Sequence, residues 1–166
     1  MDAYNRLITD LDTAGATYRL IDHAPEGRTD LVSALRGNTV AHAAKCLVVM
    51  VKIGKKTTRY VLAVIPGDAR LDLTAIKTLL GGTYTAFASS EKAEELAGTV
   101  VGTVLPFAYH PDLELIADPT LLEFPELFFN AARLDRSMAL VTKDYIRVAS
   151  PRVAPIIALA DNPTPA

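Results

Sequence analysis

The run Ala41-His-Ala-Ala-Lys-Cys-Leu-Val-Val-Met-Val51 decides how the rest of the chain is read. From Cys46 to Val51 it is apolar without a break and rich in β-branched residues, the pattern of a central strand buried on both faces. Lys45 stands at the mouth of this strand, where an ammonium group reaches a cavity while its stem stays in apolar surroundings. Such a cation suits a negatively charged or carbonyl-bearing ligand. The other reading is a solvated edge charge that keeps a sheet soluble.

Working outward, residues 2–14 put Tyr4, Leu7, Ile8 and Leu11 on one face at helical spacing, with Gly15 as the stop. Residues 17–22 form a short strand, and 23–27 form a loop punctuated by proline and glycine. Thr29 or Asp30 caps a helix that runs through Leu31, Ala34 and Leu35 and stops at Gly37. After the central strand, Gly54-Lys55-Lys56 turns the chain into a second strand over 59–65, which reads as a hairpin. A helix follows from Asp72 to Leu80, then a strand over 83–88 and a helix from Ser89-Ser90 to Gly98.

Residues 100–107 are strand-like but interrupted by Gly102 and ended by Pro106, which marks a bulge or a close backbone approach to a ligand. Short strands over 113–117, 127–130 and 137–141 and a last helix from Thr142 complete the body. Four prolines punctuate the segment after Ser150, whose end reads as a mobile tail, with Ile156-Ile157 able to dock on the body. The expected architecture is α/β (α+β), one domain over 1–150 and a Pro-rich tail over 151–166. Its sheet is mixed, curled or barrel-like, and flanked by helices.

With 166 residues, half of them hydrophobic, the chain can bury one full core. The single cysteine, Cys46, excludes an internal disulfide and a cysteine-built zinc site. No apolar run approaches the ~20 residues of a membrane span and the N-terminus has no signal-peptide shape, so the chain reads as soluble and cytoplasmic. The net charge of −2 argues against a broad DNA-type footprint. Between Leu31 and Gly67, however, there is no Asp or Glu, while Arg36, Lys45, Lys52, Lys55, Lys56 and Arg59 all fall there. They form either one positive side able to meet a few phosphates or a set of scattered solvated charges.

Few residue patterns carry chemistry on their own. His42 and Cys46 are four apart, a spacing that shares a face only on a helix, so Cys46 reads as a core hydrophobe. His23, His42 and His110 show no metal spacing, and no phosphate-binding loop, dinucleotide fingerprint or nucleophile elbow is present. Three positions remain: Lys45; Gly102, with bare backbone N–H groups near Pro106 or simply a structural bulge; and Asn130, at the end of an aromatic strand, hydrogen-bonded locally or aimed into a pocket.

Taken in order, Lys45 before Leu-Val-Val, Val-Ile-Pro-Gly-Asp-Ala-Arg-Leu-Asp-Leu (64–73), Ser-Glu-Lys-Ala-Glu-Glu-Leu-Ala-Gly (90–98), Val-Gly-Thr-Val-Leu-Pro-Phe (101–107) and Phe-Phe-Asn-Ala-Ala-Arg (128–133) resemble the YbaK/ProX family of aminoacyl-tRNA editing domains. The likeness runs from about Gly15 to Arg147. It implies a mixed, barrel-like sheet with flanking helices and hydrolysis, in trans, of the ester joining a wrong amino acid to tRNA, with a tRNA-Pro-type substrate. The resemblance implies catalytic roles for Lys45, Gly102 and Asn130, and substrate-binding roles for His23, Thr103, Pro106, Phe107 and Ala131. It implies no cofactor and no metal. The implied partners are the 3′-end of mischarged tRNA and a prolyl-tRNA synthetase, with no DNA and no membrane. The chain departs from the family pattern at Ala131-Ala132, where many relatives have glycines, and at Asn130, where some have serine.

The physics suits such a task, because a synthetase separates side chains differing by one methylene by only ~1–3 kcal/mol and needs a second, hydrolytic sieve. A ribose ester needs little covalent help, so a cation and backbone donors around the carbonyl, with positioned water, are expected to suffice. Two other readings stand beside it: a binding module of the same fold that senses an aminoacyl end or small metabolite, and a Cys46 hydrolase.

Overall fold

The computed structural model describes residues 1–158. Helix α1 (Ala3–Thr13) begins at Asp2, whose carboxylate accepts from the Asn5 N–H, and buries Leu7 and Leu11. Strand β1 (Tyr18–Asp22) and helix α2 (Thr29–Arg36) follow. The central run becomes β2 (Ala44–Ile53), paired antiparallel with β3 (Thr57–Pro66) across the Gly54-Lys55-Lys56 turn. Then come α3 (Leu73–Leu80), β4 (Tyr84–Phe87), α4 (Ser90–Ala97) and β5 (Leu113–Ala117). The chain continues through β6 (Glu126–Asn130), β7 (Arg136–Val141), α5 (Thr142–Ala149) and β8 (Arg152–Val153).

The fold is mixed α+β, built on two sheets. One has the order β1-β7-β6 and is antiparallel; the other, β4-β2-β3-β5-β8, is mixed, since β5 runs parallel to β3. Neither closes on itself, so the barrel-like expectation gives way to two open sheets meeting at one bridge, Ala43 to Phe128. Strand β2 is central and covered on both faces, as its unbroken apolar run requires. Ala44 and Val48 join the core shared with β6, β7, α1 and α5, while Val49 and Val51 pack on the opposite side with Ile76 and Leu80 of α3. Fully burying each of the valine, isoleucine and leucine side chains stabilises the fold by roughly 1.5–3 kcal/mol.

Two local expectations are corrected. Residues 100–107 form no strand, because Gly102 takes φ +90° and the Thr103 N–H closes a turn on the Val100 carbonyl. Helix α2 is capped by neither Thr29 nor Asp30; Arg28 occupies the cap without a side-chain bond. Its Leu31 and Leu35 face outward while Val32 and Ser33 are buried. Ile156 of the Pro-rich segment docks on the body, fully buried, and the residues expected at the mobile end, 159–166, lie outside the described residues.

Candidate active site

The bridge between the sheets creates the site. Ala43 and Phe128 pair in parallel, and two residues further along each strand lie Lys45 and Asn130. No ladder continues beyond the bridge, so the two strands part there and leave a cavity of about 450 Å³, within the range of small-ligand sites. Lys45, Gly102 and Asn130 all line it, so the structure brings the three expected residues together around one space.

Lys45 Nζ donates to the Ala69 carbonyl at 3.2 Å, which fixes the ammonium and leaves two of its three N–H groups. Gly102 needs its hydrogen side chain twice over. Its φ of +90° disfavours any L side chain, and a Cβ would come within 2.9 Å of the Gly27 Cα on the facing loop. The Gly102 N–H has no partner among the described residues. Asn130 is 7% exposed, and both of its donors are engaged: Nδ2 donates to the Glu26 and Gly102 carbonyls, both at 2.9 Å, while Oδ1 accepts from Ser137 Oγ at 2.9 Å. It ties the loop after β1 to the loop after α4, the two walls of the cavity.

His23 stands behind this clamp, with Nε2 2.6 Å from Ser137 Oγ and Nδ1 2.8 Å from the Ala24 carbonyl. Phe107 packs edge-on against Phe129 and Tyr145 in the core. Pro106 and Ala131 are buried, and the Ala131 N–H donates to the Arg136 carbonyl. Thr103 gives its hydroxyl to the Val100 carbonyl at 2.7 Å and lines a shallower hollow with Pro25, Ala132 and Leu134. Cys46 touches the main cavity, but burial pushes its thiol pKa well up, and Sγ donates to the Ala44 carbonyl at 3.6 Å. A thiol held neutral is a poor nucleophile.

The cavity is positive in a chain of negative net charge. Among the described residues, Arg28, Arg36 and Lys45 line it with one carboxylate, Asp30, which pairs with Arg28 at 2.9 Å. The acid-free stretch of sequence therefore divides. Arg36 and Lys45 reach the site, Lys52, Lys55 and Lys56 lie exposed toward the far hairpin, and Arg59 pairs with Glu114. Lys52 is seven residues along β2 from Lys45, roughly 23 Å at ~3.3 Å per residue.

Arg36, Ser137 and Gly27 were not singled out as site residues from the sequence. The acid-free stretch pointed to Arg36, and the Pro/Gly punctuation of its loop pointed to Gly27. Nothing local marks Ser137, which reaches the site by strand pairing between β6 and β7.

The chain belongs to the aminoacyl-tRNA editing domain family, whose model matches residues 25–148. Among its relatives is the multifunctional Ser/Thr-tRNA deacylase ProXp-y of Escherichia coli K12, 40% identical over 151 residues and covering 90% of both chains. The prolyl-tRNA editing protein ProX of Acetoanaerobium sticklandii is 26% identical over 126 residues, covering 74% of this chain and 75% of that one. A solved structure of the hypothetical protein APE2540 superposes with a TM-score of 0.82 at 25% identity, over 92% of this chain and 99% of that one.

Proposed function

We propose that this protein is an aminoacyl-tRNA deacylase that hydrolyses, in trans, the ester of mischarged tRNA, with seryl and threonyl esters as its first substrates. The observation that carries the reading is the placement of the Lys45 ammonium and the partnerless Gly102 N–H around one positive cavity, in a chain of the editing-domain family. The choice of amino acid rests on the Ser/Thr-tRNA relative. A tRNA-Pro-type acceptor and a prolyl-tRNA synthetase partner are the finer parts of the proposal, and the cytoplasm is where it would act.

In this reading water adds to the ester carbonyl, the carbonyl oxygen becomes an oxyanion, and the ribose 3′-oxygen leaves with a proton, which the neighbouring 2′-hydroxyl can relay. Lys45 and the Gly102 N–H stabilise the oxyanion, and positioned donors in a water-poor site are worth far more than in bulk water. Asn130 acts through Gly102, whose carbonyl it holds, and so sets the direction of the adjacent backbone donor. No covalent nucleophile is required, because binding already converts a bimolecular step into a positioned one.

Incubation with seryl-, threonyl- and alanyl-tRNA panels, tRNA-Pro first, is expected to release amino acid from the seryl or threonyl ester. Lys45→Ala should lower kcat/KM by about 10²–10³. Full activity in that variant would remove Lys45 from the mechanism, and no turnover on any ester would reject the deacylase reading.

A further inference from the structure

Arg36 is a half-buried cation that faces the cavity, and among the described residues its partners are all neutral. Its Nε donates to Asn38 Oδ1 at 3.0 Å, Nη1 to Ser137 Oγ at 3.2 Å and Nη2 to Ser33 Oγ at 3.3 Å. A guanidinium carries five N–H groups, so one remains on each of Nη1 and Nη2, without a partner among the described residues. The nearby carboxylate that lines the cavity, Asp30, pairs with Arg28 instead.

This arrangement is costly for the protein alone. Burial lowers the Arg36 pKa to about 10 with no compensating charge, yet the group stays protonated at neutral pH. A desolvated charge is retained at low cost only when something of opposite sign meets it. The three neutral tethers have a second effect. They hold the planar fork in one orientation and leave its terminal nitrogens for a ligand with paired oxygens, the geometry of arginine with phosphate.

We propose that Arg36 is a phosphate-binding residue of the site, taking the 5′-phosphate oxygens of the terminal nucleotide while Lys45 and Gly102 attend the ester. This inference rests on the deacylase reading above. An aminoacyl ester has no free carboxylate, so the phosphodiester of the last nucleotide is the anion that accompanies the reacting carbonyl. The two subsites are joined by hydrogen bonds: Arg36 to Ser137 Oγ, Ser137 Oγ to Asn130 Oδ1, and Asn130 Nδ2 to the Gly102 carbonyl. Phosphate held by Arg36 is thereby kept in register with the backbone donor at Gly102.

The test is direct binding, by calorimetry on the full chain, of a non-hydrolysable 3′-seryl-amide analogue of adenosine with and without a 5′-phosphate. The wild-type protein is expected to bind the phosphorylated form about 10–100-fold more tightly, the worth of charge-assisted hydrogen bonds to one group. Arg36→Gln should abolish that ratio, whereas Lys45→Ala should weaken both analogues and keep it. Inorganic phosphate at the same concentration as the phosphorylated analogue should compete with it only weakly if the site reads a nucleotide's phosphate; competition as strong as that of the analogue itself would overturn the nucleotide assignment. A ratio near one in the wild type, or a ratio retained in Arg36→Gln, overturns the proposal. If Arg36→Gln does not fold, Ser137→Ala, which removes one tether and keeps the charge, is expected to reduce the ratio, and an unchanged ratio there counts against it. Failure of both analogues to bind the wild type would instead reject the deacylase reading itself.

Discussion

Asn130 has no donor left over for a ligand, since both Nδ2 protons are bound within the protein and Oδ1 already accepts from Ser137. A site residue of this kind works by placing others, here the two loops whose backbones meet at Gly27 and Gly102. The neighbouring Ala132 shows strain at the same turn. Its φ of +61° is left-handed, which costs an alanine roughly 1–2 kcal/mol relative to the right-handed region. Ala132→Gly removes that strain but gives the unfolded chain more freedom, about 0.5–1 kcal/mol in the opposite direction. The net expectation is a gain of a few tenths to about 1 kcal/mol in denaturant unfolding; a loss would show that the turn tolerates the side chain. The sequence marked Ala131-Ala132 as one departure from a glycine-bearing pattern. The structure separates the two: Ala131 is an ordinary buried residue, and Ala132, half-buried, carries the unusual conformation.

Helix α2 shows what apolar spacing can and cannot settle. Leu31, Ala34 and Leu35 recur at helical spacing, yet Leu31 and Leu35 are 44% and 49% exposed. The polar residues took the inward positions because they have partners there: Ser33 Oγ accepts from both Arg36 and Asn38. A hydrogen-bonded polar group can be buried without the desolvation penalty that spacing arguments assume. Leu35→Gln is therefore expected to change stability by less than about 0.5 kcal/mol, whereas Val32→Ala, in the core, should cost about 1–3 kcal/mol. Paired urea titrations would check this, and equal costs would show that Leu35 packs as firmly as Val32. Strand β2 was legible for the complementary reason. Ten consecutive residues with an apolar, β-branched centre leave only a doubly covered strand as an economical solution. Residues 100–107 had the same composition, but Gly102 and Pro106 turned them into a loop.

At the scale of the whole molecule, the order of elements could be read along the chain, but their division into two sheets could not. The division depends on β1 pairing with β7 across more than a hundred residues, beside the local β6–β7 hairpin, and on the bridge at Ala43 that aligns Lys45 with Asn130. The same non-local logic ties the C-terminal segment to the site. Ile156 is fully buried, its N–H donates to Asp118 Oδ2 at 2.8 Å, and its carbonyl accepts from the Asp72 N–H at 2.8 Å. Ile157 bridges to Leu71, so the chain over 71–72 is held against this segment. Two residues before Leu71, the Ala69 carbonyl seats the Lys45 ammonium. Ile156→Ala should thus cost roughly 2–4 kcal/mol through lost burial and a residual cavity, and it should also loosen the strap that positions Lys45. Deacylation measured well below the melting transition is expected to fall severalfold, far less than in Lys45→Ala, whose ammonium is gone altogether. A variant that loses stability but keeps the full wild-type rate would show that the anchor supports the fold without reaching the cavity. One that keeps its stability would show that the C-terminal segment contributes no packing.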